Sequence, residues 1–150
     1  MTTNDYPPQL ALQQLIQGFQ VTQCIYVAAK LGIADLLKDG SRTSEELAQV
    51  TGAHAPSLYR VLRLLTSVDL LTEGEAHSFA LAPLGTHLQT GVAGSMRDTV
   101  LFYCDKPFWQ VWGDLLHSMK WARRAISISS DSHFLTIISS TPSMQHSFTI

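Results

Sequence analysis

Residues 41–65, SRTSEELAQVTGAHAPSLYRVLRLL, carry the signals of two consecutive helices joined by a short turn. Thr43 and Glu46 have capping-box spacing, so a helix is expected to begin there, and Gly52 is expected to end it. Pro56 suits the first turn of a second helix. Apolar residues at three- and four-residue steps predict the buried stripe of that second helix: Leu58, Val61, Leu62, Leu64 and Leu65. The stretch therefore predicts a helix-turn-helix.

The segments on either side extend this unit. Before it, IADLL at residues 33–37 predicts a short helix closed by Gly40. After it, two β-capable runs flank Glu73, Gly74 and Glu75, which is typical of a hairpin and hence of the wing of a winged helix. The fold class predicted is mainly α: a winged helix-turn-helix-like domain with a small β-hairpin wing and additional long helices.

The first of these long helices is expected from Pro8 to Lys30, ending near Gly32. Its apolar residues are predicted to share one broad face: Leu12, Leu15, Ile16, Phe19, Ile25, Tyr26 and Ala29. The opposite side is formed by uncharged amides, which suit either contact with another chain or simple hydration: Gln13, Gln14, Gln17, Gln20 and Gln23. Four apolar residues are the expected dimer interface: Leu12, Leu15, Ile16 and Phe19.

Composition limits the function classes. The 150 residues are 45 % hydrophobic, enough for one core, and the net charge of −2 disfavours a sequence-independent DNA clamp. Cys24 and Cys104 lie in apolar helical patterns, which predicts buried free thiols rather than a disulfide or zinc site. Without a signal peptide or membrane-span pattern at the sequence level, we expect a cytoplasmic protein that does not bind a membrane.

A winged-helix DNA-binding transcriptional regulator is the alternative function. The second helix offers only Arg60 and Arg63 to DNA, and ion pairing is the preferred interpretation of both. Glu73 and Glu75 at the expected wing tip would repel phosphates. We therefore expect no nucleic acid partner.

Residues 91–120 predict two consecutive helices with many aromatic side chains. Ser95 and Asp98 have capping-box-like spacing, whereas Asp105 and Pro107 interrupt the helical pattern. The aromatic residues either fill the core, which is the default for most of them, or line a pocket for a flat ring: Phe102, Tyr103, Phe108, Trp109 and Trp112.

In order, the long first helix, LGIADLL, SEELA, SLYRVLRLL, LAPLG and the aromatic segment resemble one family over residues 8–120. The chain resembles the N-terminal dimerisation domain of S-adenosylmethionine-dependent O-methyltransferases of the plant caffeate and acetylserotonin type and their bacterial relatives. The resemblance implies that the winged helix pairs subunits and that helices of one subunit close the substrate pocket of the other. It implies a homodimer, or a mixed dimer with a full-length homologous subunit.

The same resemblance implies where the chemistry lies. In the family a C-terminal Rossmann-like domain binds S-adenosylmethionine through a glycine-rich loop and supplies a histidine base, which deprotonates a hydroxyl of a small aromatic substrate. We expect this chain to bind no cofactor, to contain no catalytic residue and to be inactive alone. Its expected contribution is part of the substrate pocket: Phe102, Phe108, Trp109 and Trp112.

Other candidate chemical residues have simpler interpretations. Gly91 and Gly94 are spaced wrongly for a cofactor loop and no strand is expected before them. Four histidines fit no catalytic motif of the family and are expected at the surface or at helix caps: His54, His77, His87 and His117. No metal site is expected.

The tail at residues 121–150 changes character abruptly and is rich in serine without helical or alternating periodicity. A two-base shift of the back-translated tail permits a sequence that resembles the family's continuation. We therefore expect three segments: a flexible N-terminus at 1–7, the dimerisation domain at 8–120, and a poorly ordered tail translated out of frame at 121–150. The hypothesis is a truncated O-methyltransferase.

Overall fold

A computed structural model describes residues 7–121; the side chain of residue 121, the rest of the predicted tail and residues 1–6 lie outside the described part. In chain order, its helices and strands are α1 (Pro8–Lys30), α2 (Ile33–Leu36), β1 (Arg42–Thr43), α3 (Ser44–Thr51), α4 (Ala55–Ser67), β2 (Leu71–Glu73), β3 (Ser78–Leu81), α5 (Arg97–Tyr103), α6 (Lys106–Gly113) and α7 (Leu115–Trp121). Two 3-10 turns, Glu75–His77 and Leu84–Leu88, complete them. The mainly α winged-helix prediction is confirmed.

The helix-turn-helix forms where its local signals predict. The Thr43 hydroxyl accepts a hydrogen bond from the Glu46 backbone N–H at 3.2 Å, and the Glu46 carboxylate accepts one from the Thr43 N–H at 2.8 Å. Gly52 ends α3 in the left-handed conformation with φ 71°, which glycine adopts without strain. The capping box and the terminator are confirmed, so α3 is defined at both ends by its own sequence.

The buried stripe of α4 is narrower than the sequence predicts. Leu58, Leu62 and Leu65 are buried in the core, whereas Val61 and Leu64 are only half-buried. Successive helical residues turn by about 100°, so Val61 and Leu64 fall on the edges of the stripe. The core around it combines residues of α1 to α4 and of the sheet: Ala28, Ile33, Ala34, Leu37, Leu47, Ala48, Leu58, Leu62, Leu65, Leu70, Leu71, Phe79 and Leu88.

The predicted wing hairpin is confirmed and gains a third strand. β2 and β3 pair antiparallel with Leu71 opposite Leu81, and β1 pairs with the other side of β3. No local pattern predicts β1, because its two residues pair with a strand more than thirty positions away. Phe79 of β3, opposite Arg42, is completely buried.

The segment after the wing forms three helices, α5, α6 and α7, where two were predicted, and the start of the first also differs. The predicted capping box of Ser95 and Asp98 is wrong: α5 begins at Arg97, and the Ser95 hydroxyl donates to the Gln89 carbonyl at 2.7 Å. The interruption at Asp105 and Pro107 is confirmed as the junction between α5 and α6. The chain divides into two compact units between Trp109 and Gln110, so the end of α6 and α7 belong to the second unit.

Both cysteines are free thiols, as predicted, but they are half-buried rather than buried. Partial burial still raises the pKa of both the Cys24 and the Cys104 thiol, because the thiolate would lose hydration. Within residues 7–121 no helix is long and apolar enough to cross a membrane.

Candidate subunit interface and aromatic cluster

The N-terminal half of α1 presents large apolar side chains to solvent. The four residues predicted for the interface, named here the α1 stripe, are exposed by 51 % to 75 %: Leu12, Leu15, Ile16 and Phe19. They lie three and four positions apart and therefore share one side of the helix. At least half of each of these side chains therefore remains exposed.

The single broad apolar face predicted for α1 is wrong. Ile25 packs against the core and Ala29 is buried, but both lie roughly 100° around the helix from the centre of the α1 stripe. The first half of α1 thus carries an exposed apolar side, and the second half a different, buried side. Because both obey helical spacing, periodicity alone merged them.

The α1 stripe lies on an uncharged helix. Residues 7–29 contain no Asp, Glu, Lys or Arg, and Lys30 is the first charged side chain of α1. Of the predicted amide side, four glutamines are exposed: Gln13, Gln14, Gln17 and Gln20. Gln23 is half-buried and donates from Nε2 to the Cys104 carbonyl at 3.4 Å. Gln23 thus lies on the stripe side of α1 rather than opposite it, and its partner is in the same chain. Whether the exposed glutamines contact another chain or are only hydrated stays open.

A second hydrogen bond joins α1 to the junction of α5 and α6. The Tyr26 hydroxyl donates to Oδ1 of Asp105 at 2.8 Å, and the same oxygen accepts the backbone N–H of Lys106 at 2.8 Å. Donation from Lys106 and then from Tyr26 lowers the pKa of Asp105, while the bond to this carboxylate raises the pKa of Tyr26. The sequence did not reveal this contact, because its partners are far apart in the chain.

Three aromatic rings meet at that junction. The Phe108 ring lies 4.7 Å from the ring centre of Phe102 and 5.3 Å from that of Tyr103. Trp109 lies beside Phe19 of the α1 stripe, at 6.3 Å between ring centres. Trp112 is in the second compact unit.

The default of core packing is wrong for most of these aromatic residues. Phe102 is buried and Phe108 half-buried, but Tyr103 is exposed, as are Trp109 at 38 % and Trp112 at 66 %. Of the five aromatic residues only Phe102 is therefore a buried residue.

The wing is arranged unlike the expected DNA-facing surface. The Glu73 carboxylate is turned onto α4, where it pairs with Arg63 at 3.1 Å and accepts from the Tyr59 hydroxyl at 3.1 Å. The expectation that the Glu73 carboxylate faces DNA phosphates at the wing tip is therefore wrong. The ion pairing expected of Arg63 is confirmed. For Arg60 the structure instead gives a bond from Nε to the Pro56 carbonyl at 3.3 Å.

The histidines take the surface and capping positions expected of them. His54 precedes α4 and contacts the Ser57 hydroxyl through Nδ1 at 3.0 Å. His77 lies against Glu73 in the wing turn, His87 contacts the Gly94 carbonyl, and His117 is exposed. Among the described residues, no His, Cys, Asp and Glu side chains group closely enough to hold a metal ion.

Residues 7–121 do not fit a nucleoside cofactor. Their sheet is small and antiparallel, and Gly91 and Gly94 follow a 3-10 turn instead of a strand. Both glycines have φ near 73°, but the helix after them, α5, has only seven residues and begins at Arg97. The strand-to-helix turn that cradles S-adenosylmethionine-type ligands is not formed by this part of the chain.

Comparison with known proteins finds methyltransferases that are similar to this chain in sequence and in structure. The phenazine O-methyltransferase PhzM of Lysobacter antibioticus is 44 % identical over 114 residues, covering 76 % of this chain and 33 % of the relative. The structure of N,N-8-amino-8-demethyl-D-riboflavin dimethyltransferase (RosA) from Streptomyces davawensis matches with a TM-score of 0.78 at 32 % identity, over 93 % of this chain and 41 % of that one.

CalO1, a methyltransferase of calicheamicin biosynthesis, was solved in an SAH-bound form. It matches with a TM-score of 0.68 at 34 % identity, over 79 % of this chain and 36 % of that one. The chain spans about a third of the length of the curated relatives that it matches. The comparisons give no support to the DNA-binding alternative.

The family described as the O-methyltransferase dimerisation domain matches residues 13–91, more than half of the 150 residues. The match includes most of α1, the whole helix-turn-helix and the wing. This chain belongs to the O-methyltransferase dimerisation domain family.

Proposed function

We propose that this domain pairs two subunits of an S-adenosylmethionine-dependent methyltransferase through the α1 stripe. The observation that carries the proposal is the exposure of four large apolar residues on one side of a 23-residue helix. Contact with a second copy would remove their apolar surface from water, which favours association by roughly 25 cal/mol per Å² before the costs of pairing.

The missing charge on α1 supports a second copy as the occupant. In a two-fold interface the same patch meets itself, so a charged residue near the axis faces its own kind. Residues 7–29 offer apolar, amide and hydroxyl side chains but no charged one, and two such helices can approach without charge repulsion. Of the exposed glutamines, Gln13 and Gln20 lie roughly 100° around α1 from the centre of the α1 stripe and would supply hydrogen bonds at the rim of the interface.

The test is sedimentation of the full 150-residue chain at micromolar concentration. We expect a dimer for the unchanged chain and a monomer for Ile16→Glu, because the substitution buries a carboxylate in the interface. Val50→Glu is the matched control, since Val50 is 58 % exposed on α3 and lies away from the α1 stripe. A monomeric unchanged chain, or equal loss of pairing in both variants, would contradict the proposal.

The same surface would accept a longer homologue, giving a mixed dimer. Native mass spectrometry of this chain mixed with the phenazine O-methyltransferase of Lysobacter antibioticus tests this, and we expect a heterodimer that Ile16→Glu abolishes. Only homodimers of each protein would contradict the mixed dimer while leaving self-pairing intact.

For the methyl acceptor we propose a small, flat aromatic molecule with a hydroxyl group. The phenazine relative is named as an O-methyltransferase, which supports the hydroxyl group, whereas the riboflavin relative is named as an N,N-dimethyltransferase of an amino compound. Phenazine and riboflavin both contain planar fused rings. Phe102, Phe108, Trp109 and Trp112 are the proposed contributions to its pocket, because aromatic faces suit planar rings. The family's S-adenosylmethionine is bound elsewhere than in residues 7–121, and we assign these residues no step of methyl transfer.

Isothermal titration calorimetry of a hydroxyphenazine against the full chain tests the pocket, since its heat signal does not depend on a tryptophan that a variant removes. We expect Phe108→Ala and Trp112→Ala to weaken binding, and Leu84→Ala, an exposed apolar control, to leave it unchanged. Equal weakening by all three variants would contradict the proposed pocket.

A further inference from the structure

We infer that Tyr26 is a positioning residue, which holds Trp109 beside the α1 stripe so that Trp109 becomes part of the subunit interface. The inference rests on the proposed function and extends the interface beyond the four residues of α1. It is based on two hydrogen bonds from α1 to the α5–α6 junction and on the contact between the rings of Phe19 and Trp109.

The first step is the geometry of α1. Tyr26 and Gln23 continue the α1 stripe toward the C-terminus, at three- and four-residue steps from Phe19. Where the stripe residues meet solvent, these two meet the junction: Tyr26 binds the Asp105 carboxylate at 2.8 Å and Gln23 the Cys104 carbonyl at 3.4 Å. The same side of α1 is thus exposed to solvent in its first half and hydrogen-bonded to the α5–α6 junction near its end.

The second step is what the tether fixes. Oδ1 of Asp105 accepts hydrogen bonds from both the Tyr26 hydroxyl and the Lys106 backbone N–H. The carboxylate directly before α6 is therefore bound to α1 as well as to the first residue of α6. Trp109 lies one turn into α6, and its backbone N–H donates to the backbone carbonyl of Asp105 at 3.1 Å. The direction of the first turn of α6, and hence the place of the Trp109 ring, follows from the Tyr26 bond.

The third step is the surface that results. The Trp109 ring centre lies 6.3 Å from that of Phe19, and both side chains remain exposed. Trp109 therefore extends the α1 stripe sideways with the residue type most enriched at the centres of interfaces. A second copy that covers Phe19 also covers Trp109.

The experiment is a double-mutant cycle on the dimer dissociation constant of the full chain. We expect Trp109→Ala to weaken pairing on the order of 10- to 100-fold, and Tyr26→Phe to weaken it roughly three- to tenfold. In the Trp109→Ala background Tyr26→Phe should have almost no further effect, because it acts through Trp109. A merely structural role of Tyr26 would give additive losses.

Two further variants keep the test decisive. Tyr59→Phe removes another tyrosine-to-carboxylate bond, at 3.1 Å to Glu73, and should not change pairing. Asp105→Asn keeps a good helix cap while weakening the bond from Tyr26, and should weaken pairing less than Tyr26→Phe does. Amide exchange at residues 103–109 should quicken in Tyr26→Phe and not in Tyr59→Phe.

The outcomes separate this inference from the proposed function. A monomeric unchanged chain overturns both. A dimer that Trp109→Ala leaves equally tight, or additive effects of Trp109→Ala and Tyr26→Phe, overturns the inference alone and leaves pairing through the α1 stripe intact.

Discussion

Two helices of this chain carry apolar stripes of the same periodicity, and folding buries only one of them. In α4 the stripe of Leu58, Leu62 and Leu65 lies inside, with Leu62 completely buried, whereas Leu15 in the α1 stripe is 75 % exposed. The stripes differ in their surroundings: α1, α3 and β2 pack against α4, whereas in the first compact unit the ring of Trp109 lies beside the first half of α1, at Phe19, and the stripe stays largely exposed. Helical amphipathicity therefore indicates that a face needs a partner, without telling whether the partner lies in the same chain.

The strongest test of this difference is Leu62→Ala. The substitution leaves a cavity in a fully buried site, so we expect the free energy of unfolding to fall by about 2–5 kcal/mol. Urea denaturation followed by circular dichroism at fixed protein concentration measures it. A loss no larger than that of an exposed leucine would contradict the assignment of this stripe to the core.

Leu15→Ala is the same chemical change in the other stripe. We expect the dimer dissociation constant to rise roughly tenfold, and the unfolding of a dilute, monomeric sample to change by less than about 0.5 kcal/mol. Sedimentation and urea denaturation on the same variant measure the two effects. Leu84→Ala, at an exposed apolar site off the stripe, controls for the loss of a surface leucine and should leave pairing unchanged.

Features of the fold that are determined by residues close together in the chain could be predicted from the sequence. The α3 cap at Thr43, the terminator at Gly52 and the bounds of α1 were predictable, because each is determined by residues within one turn. The α1 stripe itself was also predicted, from spacing and from its uncharged neighbours. Its separation from the buried face at Ala29 was not, since both faces share one period.

Contacts between distant segments account for the rest. The pairing of β1 with β3, the turn of Glu73 onto Arg63 and the bond from Tyr26 to Asp105 join positions ten to eighty residues apart. No local pattern encodes such partners. The aromatic residues were misjudged for the same reason, because whether Trp109 fills a core depends on which elements surround it.

Thr43→Ala tests the cap of α3, the helix that packs against α4 and its buried stripe. The substitution removes the hydroxyl that caps α3, whose Leu47 is fully buried, so we expect unfolding to become easier by about 1 kcal/mol. Pairing through the α1 stripe should not change in the folded fraction. Thr43→Ser, which keeps the capping oxygen, should restore most of the stability in urea denaturation, and failure to do so would contradict the capping role.

The smallest expected effect is a difference in acid sensitivity between the two regions. Asp35 of α2 accepts hydrogen bonds at 2.8 Å and 2.7 Å from the backbone N–H and hydroxyl of Thr90. Its partial burial raises the pKa of Asp35, but the bonds from Thr90 and the nearby positive charge of Arg97 outweigh this, and the net pKa is lowered. A carboxyl with a lowered pKa in the folded state stabilises the fold above its ordinary pKa, and this contribution is lost as pH falls through the lowered value.

Asp35→Asn removes that charge and one of the two accepting oxygens. We expect the variant to be less stable than the unchanged chain at pH 7, and the difference to shrink as the pH falls below the ordinary pKa of an aspartate and through the lowered pKa of Asp35. Urea denaturation across this pH range measures it. The α1 stripe has no carboxylate within residues 7–29, so Leu15→Ala should weaken pairing equally at pH 5 and pH 7. A strong pH dependence of the Leu15→Ala effect would show that charged groups outside α1 enter the interface.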